Sequence, residues 1–177
     1  LTEQFTGITG KSADAIRQRA QALTNTFKTT DFESNLKAAQ KLVENFGISY
    51  DEAFDEVERG LARGGAANDE FFQSINEYPA FFKKAGYSAR EFIDLINTGF
   101  ASGVYNDKMT DAIKEADISL REQTKSTRDA LLNAFGAPFT EDILRRIRTG
   151  QTSIKDALNE IAQEAGKTAL TEQQLAQ

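Results

Sequence analysis

The sequence predicts an all-α fold, a compact stack of roughly eight to ten short-to-medium helices arranged as helical hairpins without a β-sheet. Apolar residues recur at spacings of three and four along most of the chain, and no segment shows the period-two alternation of a strand. Gly and Ser residues stand between successive apolar series. With 177 residues, 40% of them hydrophobic and 13 of them Phe, the chain has a globular composition.

The first three helices are marked by their apolar stripes and by the residues at their ends. Ser12 is expected to cap the first helix, whose stripe begins at Ile16. A second stripe ends just before Gly47, a residue suited to a left-handed C-terminal cap. Ser49 and Glu52 have the spacing of a reciprocal capping box, so the third helix is expected to begin there.

The next two helices are separated by breaker residues. A glycine pair within residues 63–69 ends the third helix, and Asn68 is suited to cap the fourth. Pro79 lies in the middle of the fourth segment, which is therefore expected to be kinked or split into two short helices. A second capping box, Ser88 with Glu91, opens the fifth helix.

The C-terminal part of the chain is predicted to be helical as well. A long helical stretch covers residues 108–135, and its polar middle predicts either an exposed bridge or a break near Thr124 to Ser126. Thr140 is expected to cap a short helix that Gly150 ends, and another apolar series follows.

These elements predict a partition of the chain. Residues 1–11 are expected to form a flexible lead-in and residues 12–166 a single helical domain. Thr171 and Gln174 form a last capping box. Residues 167–177 are therefore expected to be the start of a further helix, truncated from a longer chain.

Two segments of the sequence resemble each other. The residues FGISYDEAFD align without gaps with AGYSAREFID at an offset of 39. The identical pairs are Gly47 with Gly86, Ser49 with Ser88, Glu52 with Glu91, and Asp55 with Asp94. Gly10 and Ser12 have the same spacing as Gly47 and Ser49, and Gly10 lies 37 residues before Gly47. Helical-repeat arrays have periods of this order, but two good copies support a stack of hairpins rather than a regular array.

The composition excludes several classes of site. The chain has no His and no Cys, which removes disulfides, thiolate chemistry, the Ser-His-Asp triad and the usual zinc ligands. Its formal charge of -6 argues against nucleic-acid binding. No apolar run approaches the roughly 20 residues of a membrane helix, and no signal peptide is visible. We expect no catalytic, cofactor or metal site, no nucleic-acid partner and no membrane segment.

The letters GKS at positions 10–12 are the ending of a phosphate-binding loop. Such a loop has a leading glycine where this sequence has Phe5. It also follows a buried strand, for which the four residues before Phe5 leave no room. The sequence therefore favours Ser12 as a helix cap over a nucleotide site.

Two further groups have both a functional and a structural interpretation. The glycines of segment 63–69 precede a predicted helix N-terminus and could cradle an anion, although no Lys-Ser or Lys-Thr pair is nearby. Asp107, Asp111 and Glu115 share one helix face, but the glycine turn of a calcium loop is missing. A solvated face is the favoured interpretation of these acidic residues.

Basic and aromatic groups can be interpreted in the same two ways. The arginines of the segment 143–148 lie on the polar side of a short helix and could contact a phosphate or a partner. A solvated face is favoured for them too. Tyr78, Phe81 and Phe82 could line an exposed groove, but membership of the core is favoured.

Three segments resemble a helical internal region of phage tail tape measure proteins. They are INEYPAFFKKAGYSAREFI at 75–93, NDKMTDAIKEADISLREQTKSTRDAL at 106–131, and FGISYDEAFD at 46–55. The resemblance covers approximately residues 12–132 and becomes thin beyond Phe139. It consists of the residues that mark helix ends and of aromatic packing residues, and it includes no catalytic signature.

The resemblance implies a structural protein of a bacteriophage or prophage tail. Tape measure proteins occupy the tail tube, set tail length during assembly and are expelled ahead of the DNA at infection. A protein of this kind is made in the bacterial host cytoplasm and resides in the virion tail. Its implied partners are other tail proteins, from the tube, chaperone or baseplate, or further copies of itself, and it is not an enzyme.

Two other classes of function are compatible with the residues. The first is a helical protein-interaction module of a cellular protein, acting through the aromatic groove described above. The second is an enzyme, either nucleotide-dependent or based on carboxylates. The absent His and the incomplete phosphate loop disfavour the enzyme.

Overall fold

The computed structural model describes residues 2–67, 70–102 and 108–175, and every regular element in these ranges is a helix. The α-helices are α1 (Thr2–Thr6), α2 (Gly10–Thr26), α3 (Phe32–Phe46), α4 (Tyr50–Ala62), α5 (Glu70–Glu77), α6 (Pro79–Ala85), α7 (Ala89–Ser102), α8 (Lys108–Glu122), α9 (Lys125–Thr149) and α10 (Ile154–Leu175). A short 3-10 helix, Gly65–Ala67, follows α4. The all-α prediction is confirmed. None of the helices in these ranges combines the length and apolar character needed to cross a membrane.

The chain folds as two compact units, Leu1–Ala112 and Ile113–Gln177, divided inside α8. Two compact units can still unfold as one cooperative domain, so the predicted single domain over residues 12–166 stays a prediction. The ends of the chain differ from the predicted helix pattern. Helix α1 occupies part of the expected lead-in, and α10 continues through position 171, so Thr171 lies inside a helix and does not start one.

Within the unit formed by residues 1–112, the helices pack in two layers. Helix α4 contacts both α2 and α7, which places these three in one layer. Helix α3 contacts both α5 and α6, which places these three in the other layer. The layers meet where α3 packs on α2 and α4, and where α5 and α6 pack on α7. This is the predicted stack of hairpins.

Phenylalanines fill the space between these layers. The rings of Phe54, Phe71, Phe82 and Phe92 are all less than 2% exposed. The Phe82 and Phe92 ring centroids are 4.7 Å apart. Burial of one such side chain stabilises a fold by about 1.5–3 kcal/mol, so these rings make a large apolar contribution to the unit.

Gly60 allows the helices to come close around one of these rings. A Cβ atom at Gly60 would lie 2.5 Å from the Phe71 ring and 2.9 Å from the Ile93 side chain. Both of these side chains are fully buried. Glycine is therefore required near the C-terminal end of α4 because α5 and α7 pack directly against its backbone.

The helix ends at Gly47, Ser49 and Ser88 follow the sequence signals. Gly47 has a φ of 71° and caps the C-terminus of α3. The Ser49 N–H donates to Glu52 Oε2 at 2.8 Å, and the Glu52 N–H donates to Ser49 Oγ at 3.2 Å. Ser88 and Glu91 repeat the two bonds at 2.8 and 3.2 Å. The capping boxes predicted at Ser49 and at Ser88 are confirmed.

The start of α2 differs from the prediction. The helix begins at Gly10, whose φ is 67°, and Thr9 occupies the N-cap position without a side-chain hydrogen bond. Ser12 lies inside the first turn and is exposed, so the prediction that Ser12 caps this helix is wrong. The left-handed conformation of Gly10 turns the chain into the helix before Ser12 is reached.

The segment around Pro79 is split, as predicted. Helix α5 ends at Glu77, and Pro79 is the first residue of α6. Proline has no N–H to donate into the preceding turn, but this donor is not needed at the first helical position. Gly86, with a φ of 100°, ends α6.

In the unit formed by residues 113–177, the predicted break in the long polar stretch is present. Helix α8 ends at Glu122, and Gln123 adopts a left-handed conformation with a φ of 48°. Thr124 then caps α9, because its Oγ1 accepts from the Thr127 N–H at 3.2 Å. The Gln123 side-chain amide donates to the Leu144 carbonyl at 2.7 Å, which links the break to α9.

Thr140 does not cap a helix, and this prediction is wrong. Gly136, whose φ is 77° and ψ is 171°, divides α9 (Lys125–Thr149) into two helical segments, and the second of them begins before Thr140. Gly136 takes the non-helical conformation, and Pro138 lacks the N–H that would bond into the preceding turn. Thr140 lies beyond Gly136, fully buried, and its Oγ1 has no hydrogen-bond partner. Gly150 ends α9 with a φ of 72°, as predicted.

Helices α9 and α10 pack against each other in this unit. Ile143 and Ile154 are at most 2% exposed. The Ser153 Oγ accepts from the Asp156 N–H at 3.1 Å and so satisfies a free donor at the start of α10. These residues give the unit its own small apolar centre.

Replacement of Gly60 by Ala is expected to destabilise the protein by about 1–3 kcal/mol, because the new Cβ would overlap the buried Phe71 ring. Gly166→Ala is the matched control, since Gly166 also lies in a helix but has no atom within 4 Å of the added Cβ. This control is expected to stabilise by up to about 1 kcal/mol through helix propensity. Urea unfolding of both variants measures the two effects, and equal signs would contradict the proposed close packing.

Ser49→Ala is expected to destabilise by about 1 kcal/mol, since it removes the capping bond to the Glu52 N–H. Ser12→Ala is expected to be neutral or slightly stabilising, because Ser12 is an exposed residue inside α2 and Ala is the better helix former. Thermal unfolding of the two variants in parallel distinguishes the two serines. A larger loss at Ser12 would restore it as a helix cap.

Candidate functional site

The residues of the GKS sequence do not form a phosphate-binding loop. Lys11 and Ser12 are exposed in the first turn of α2. The element before them is the helix α1, whereas a phosphate-binding loop follows a strand. A nearby cavity of about 210 Å³ is lined by Glu3, Asp14 and Arg17. Arg17 already binds Asp14 at 3.0 Å, so the charged side chains of this lining carry a net negative charge, which disfavours a phosphate.

The glycine segment after α4 packs against protein instead of forming an open cradle. Gly65 starts the 3-10 helix, and a Cβ there would lie 2.6 Å from the Phe71 ring. Gly64 has a φ of 128°, which turns the chain between the two helices. The structure therefore gives these glycines a packing role. The predicted cap Asn68 lies outside the described residues.

The aromatic cluster of α6 belongs mostly to the core. Tyr78 and Phe82 are buried, as favoured from the sequence, whereas Phe81 is 36% exposed. The Tyr78 hydroxyl donates to Asp111 Oδ1 at 2.8 Å. Burial and this acidic neighbour raise the pKa of Tyr78, so its hydroxyl stays protonated and acts as a donor. Of these three side chains, only that of Phe81 is exposed, so the three do not line an exposed groove.

The described part of the predicted acidic line is a solvated face, as favoured from the sequence. Asp111 and Glu115 are both exposed on α8, and Asp111 also accepts the bond from Tyr78. Asp107 lies outside the described residues. Among the residues that the structure describes, no three side chains of His, Cys, Asp or Glu come together as metal ligands would.

Two of the arginines predicted on the polar side of a helix are engaged with acidic side chains. Arg145 donates to Asp142 at 2.6 Å, and Arg146 donates to Asp142 at 2.8 Å and to Glu160 at 2.9 Å. The last bond connects α9 to α10. Hydrogen bonds from Arg145 and Arg146 lower the pKa of Asp142, and the bond from Arg146 lowers that of Glu160.

Arg148 has a different environment. It lines an open cavity of about 350 Å³ together with Arg128 and Glu141. Arg128 and Glu141 form an ion pair with each other. A ligand anion would have to compete with that carboxylate, so the cavity favours a solvated face over a phosphate site.

A network of five charged side chains joins α4 to α7. Arg59 Nε donates to Glu56 Oε2 at 2.9 Å, and Arg90 Nε donates to Glu56 Oε1 at 2.9 Å. Asp94 accepts from Arg63 at 2.6 Å and from Arg59. Because Glu56 is only 8% exposed, loss of its partners would leave a largely buried charge unpaired. The network therefore fixes the position of α7 on α4.

One residue of this network could have been recognised from the sequence, because it is a charged residue within an apolar stripe. Glu56 is three residues after Ala53 and four before Gly60, so it lies on the buried stripe of α4. A charged residue within an apolar stripe requires a partner. One partner, Arg59, lies three residues later on α4 itself. The other, Arg90, lies on a helix more than 30 residues away, so its identity depends on the packing of α7 and cannot be read from α4.

An open cavity of about 260 Å³ lies beside the network, at the N-termini of α4 and α7. Three of its lining residues are carboxylates, but each one is already occupied. Glu52 belongs to a capping box, Asp55 binds Arg19 at 2.6 Å, and Glu56 binds two arginines. These groups hold helices together, which disfavours a role for them in acid-base chemistry.

Acid is expected to weaken the link between α9 and α10. The folded-state pKa of Glu160 is lowered, so its stabilisation is present above its unfolded pKa of about 4.3 and is lost as the pH falls. Glu160→Gln should therefore lose less stability than the native chain between about pH 6 and about pH 3. The difference should be about 0.2–1 kcal/mol, as for a surface pair, because the Glu160 side chain is 38% exposed.

Urea unfolding at the two pH values measures this effect. Glu115→Gln is the control, since it removes the same charge from an exposed position on α8. An equal change in both variants would show that net charge, and not the bond to Arg146, causes the difference.

Comparison with known proteins places the chain in one family. The family described as "Phage-related minor tail protein" matches residues 3–177. No curated protein and no solved structure matches the chain. The family match covers nearly every residue of both compact units, and by this match the chain belongs to the phage-related minor tail proteins.

Proposed function

We propose that this chain is a helical domain of a tail tape measure protein and contributes to tail assembly and tail-length determination through protein contacts. The observation that carries the proposal is the family match over residues 3–177, which makes the chain a component of phage tails. The resemblance of residues 12–132 to tape measure proteins supports the more specific role.

The engagement of the charged side chains supports a structural role. The carboxylates beside the α4–α7 network cap helices or bind arginines. Charged groups used in this way stabilise a defined arrangement of helices. We therefore propose that the chain acts through its length and its surface and not as an enzyme.

The proposed partners are other tail proteins, from the tube, chaperone or baseplate, or further copies of the same chain. The proposed location is the virion tail, after synthesis in the bacterial host cytoplasm. Cross-linking of purified tails followed by mass spectrometry would identify which of these proteins lies next to the lysines of this segment.

The contribution to length depends on the form of the chain in the tail. A continuous helix rises 1.5 Å per residue, so 177 residues in that form would span about 265 Å. A compact stack of helices spans only a fraction of this distance. The change in tail length per residue therefore measures which form the segment takes during assembly.

An in-frame deletion of this segment from the parent gene is expected to give shorter tails, and an in-frame duplication longer ones. The expected change is at most about 265 Å in either direction, as for a continuous helix. Negative-stain electron microscopy of purified virions measures the distribution of tail lengths. Replacement of the segment by an unrelated helical sequence of equal length is the control and is expected to restore the native length.

Unchanged tail length in both the deletion and the duplication would contradict the proposed role in length determination. Loss of tails in both the deletion and the equal-length replacement would also contradict it. That result would assign the segment to assembly contacts alone.

A further inference from the structure

Gly47 and Gly86 end α3 and α6 in the same left-handed conformation and stand 39 residues apart. After each of them the next helix, α4 or α7, begins three residues later.

A larger correspondence appears when residues 31–60 are placed on residues 70–99 at the constant offset of 39. Helix α4 then falls on α7, and α3 falls on α5 and α6 together. Six pairs are identical: Phe32 and Phe71, Gly47 and Gly86, Ser49 and Ser88, Glu52 and Glu91, Asp55 and Asp94, and Gly60 and Gly99. The correspondence therefore covers both helices of a hairpin and not only the ten-residue segments 46–55 and 85–94.

Burial follows the same offset at most of the buried positions, although fully buried Leu42 corresponds to the partly exposed Phe81. Leu36 and Ile75 are corresponding residues and are both fully buried. Asn35 and Ser74, one position earlier, are a corresponding pair of buried polar residues. A buried polar position is rare enough in a helix that its recurrence supports a common arrangement.

Pro79 explains why the correspondence is hidden. It occupies the position of Gln40, in the middle of α3, and it divides the second copy into α5 and α6. Both of these short helices nevertheless contact α3, as one continuous helix in the same layer would.

The two copies also make a similar bond to the preceding helix. Asp55, eight residues after Gly47, binds Arg19 of α2 at 2.6 Å. Asp94, eight residues after Gly86, binds Arg59 of α4, and it also binds Arg63, the residue that follows α4, at 2.6 Å. In each case the aspartate of one hairpin is held by an arginine on the neighbouring helix of the same layer.

We propose that residues 31–60 and 70–99 are tandem copies of one two-helix module, and that the chain can lose or gain a 39-residue period without losing its fold. In an array of modules each copy contacts mainly its neighbours, so removal of one whole copy brings equivalent surfaces together. Removal of only one helix of a copy joins two helices of the same layer directly and removes the helix of the other layer that connects them in the chain.

The test compares two deletions in the full chain. Deletion of residues 47–85 removes one period and joins Phe46 to Gly86, so that α7 takes the place of α4 on α3. Deletion of residues 47–69 removes fewer residues; it takes α4 and the short 3-10 helix but leaves α5 and α6. The larger deletion is expected to keep native helicity per residue and cooperative thermal unfolding by circular dichroism, and the smaller one to lose cooperativity.

Cross-linking shows whether the new arrangement has the expected register. The chain has no Cys, so Arg19→Cys with Asp94→Cys provides the only two thiols. In the variant lacking residues 47–85, a short bismaleimide is expected to join them as efficiently as it joins Arg19→Cys with Asp55→Cys in the full chain. In the full chain the 19–94 pair is expected to cross-link several-fold less.

A duplication tests the same module without removing any contact. A second copy of residues 47–85 inserted after Ala85 is expected to add helical signal in proportion to its length and to retain cooperative unfolding. A folded duplication supports the module even where the deletion variant fails, because such arrays need a minimum number of copies.

Three results would overturn the proposal. The first is loss of cooperative unfolding in both the deletion of 47–85 and the duplication. The second is equal folding of the deletions of 47–85 and 47–69. The third is a folded deletion of 47–85 without the 19–94 cross-link. None of these results depends on the proposed role in tail length.

Discussion

The fold depends on satisfying the backbone groups at the ends of many short helices. Each helix leaves four N–H and four C=O groups without intrahelical partners, and a stack of short helices has these ends throughout its structure. Here left-handed residues such as Gly47 and Gln123 turn the chain, and Ser49, Ser88 and Thr124 accept the free N–H groups that follow. The packing of the layers follows from where these ends fall, because they set the length and direction of every helix.

Between the ends, two different interactions hold α7 on α4. In the interior, Gly60 lets the backbone of α4 meet the Phe71 ring and Ile93 without an intervening side chain. Toward solvent, Glu56 and Asp94 accept bonds from arginines of both helices. The apolar contact supplies most of the stabilisation, whereas the charges restrict how the helices can slide, since displacement would leave Glu56 buried without a partner.

The parts of the structure that the sequence predicts are those decided by local chemistry. Both capping boxes, the division at Pro79 and the break near Thr124 need only nearby residues, and all were predicted. Ser12 and Thr140 were wrongly predicted as caps, because left-handed Gly10 and the Gly136–Pro138 pair place the helix starts elsewhere. The Glu56 network was not predicted, since its arginine partner Arg90 comes from a helix whose position depends on tertiary packing.

The comparison of the two hairpins indicates which residues determine the register of the stack. Five of the six identical pairs are glycines, or polar residues at helix starts and ion pairs, whereas most core pairs differ. Val57 corresponds to Ile96 and Phe54 to Ile93, all four almost completely buried. A core tolerates such exchanges as long as the volume is filled, but a cap or a close backbone contact tolerates few. The residues at helix ends and close contacts are therefore the ones that repeat between the two hairpins. The apolar residues between them need only be large enough to fill the layer.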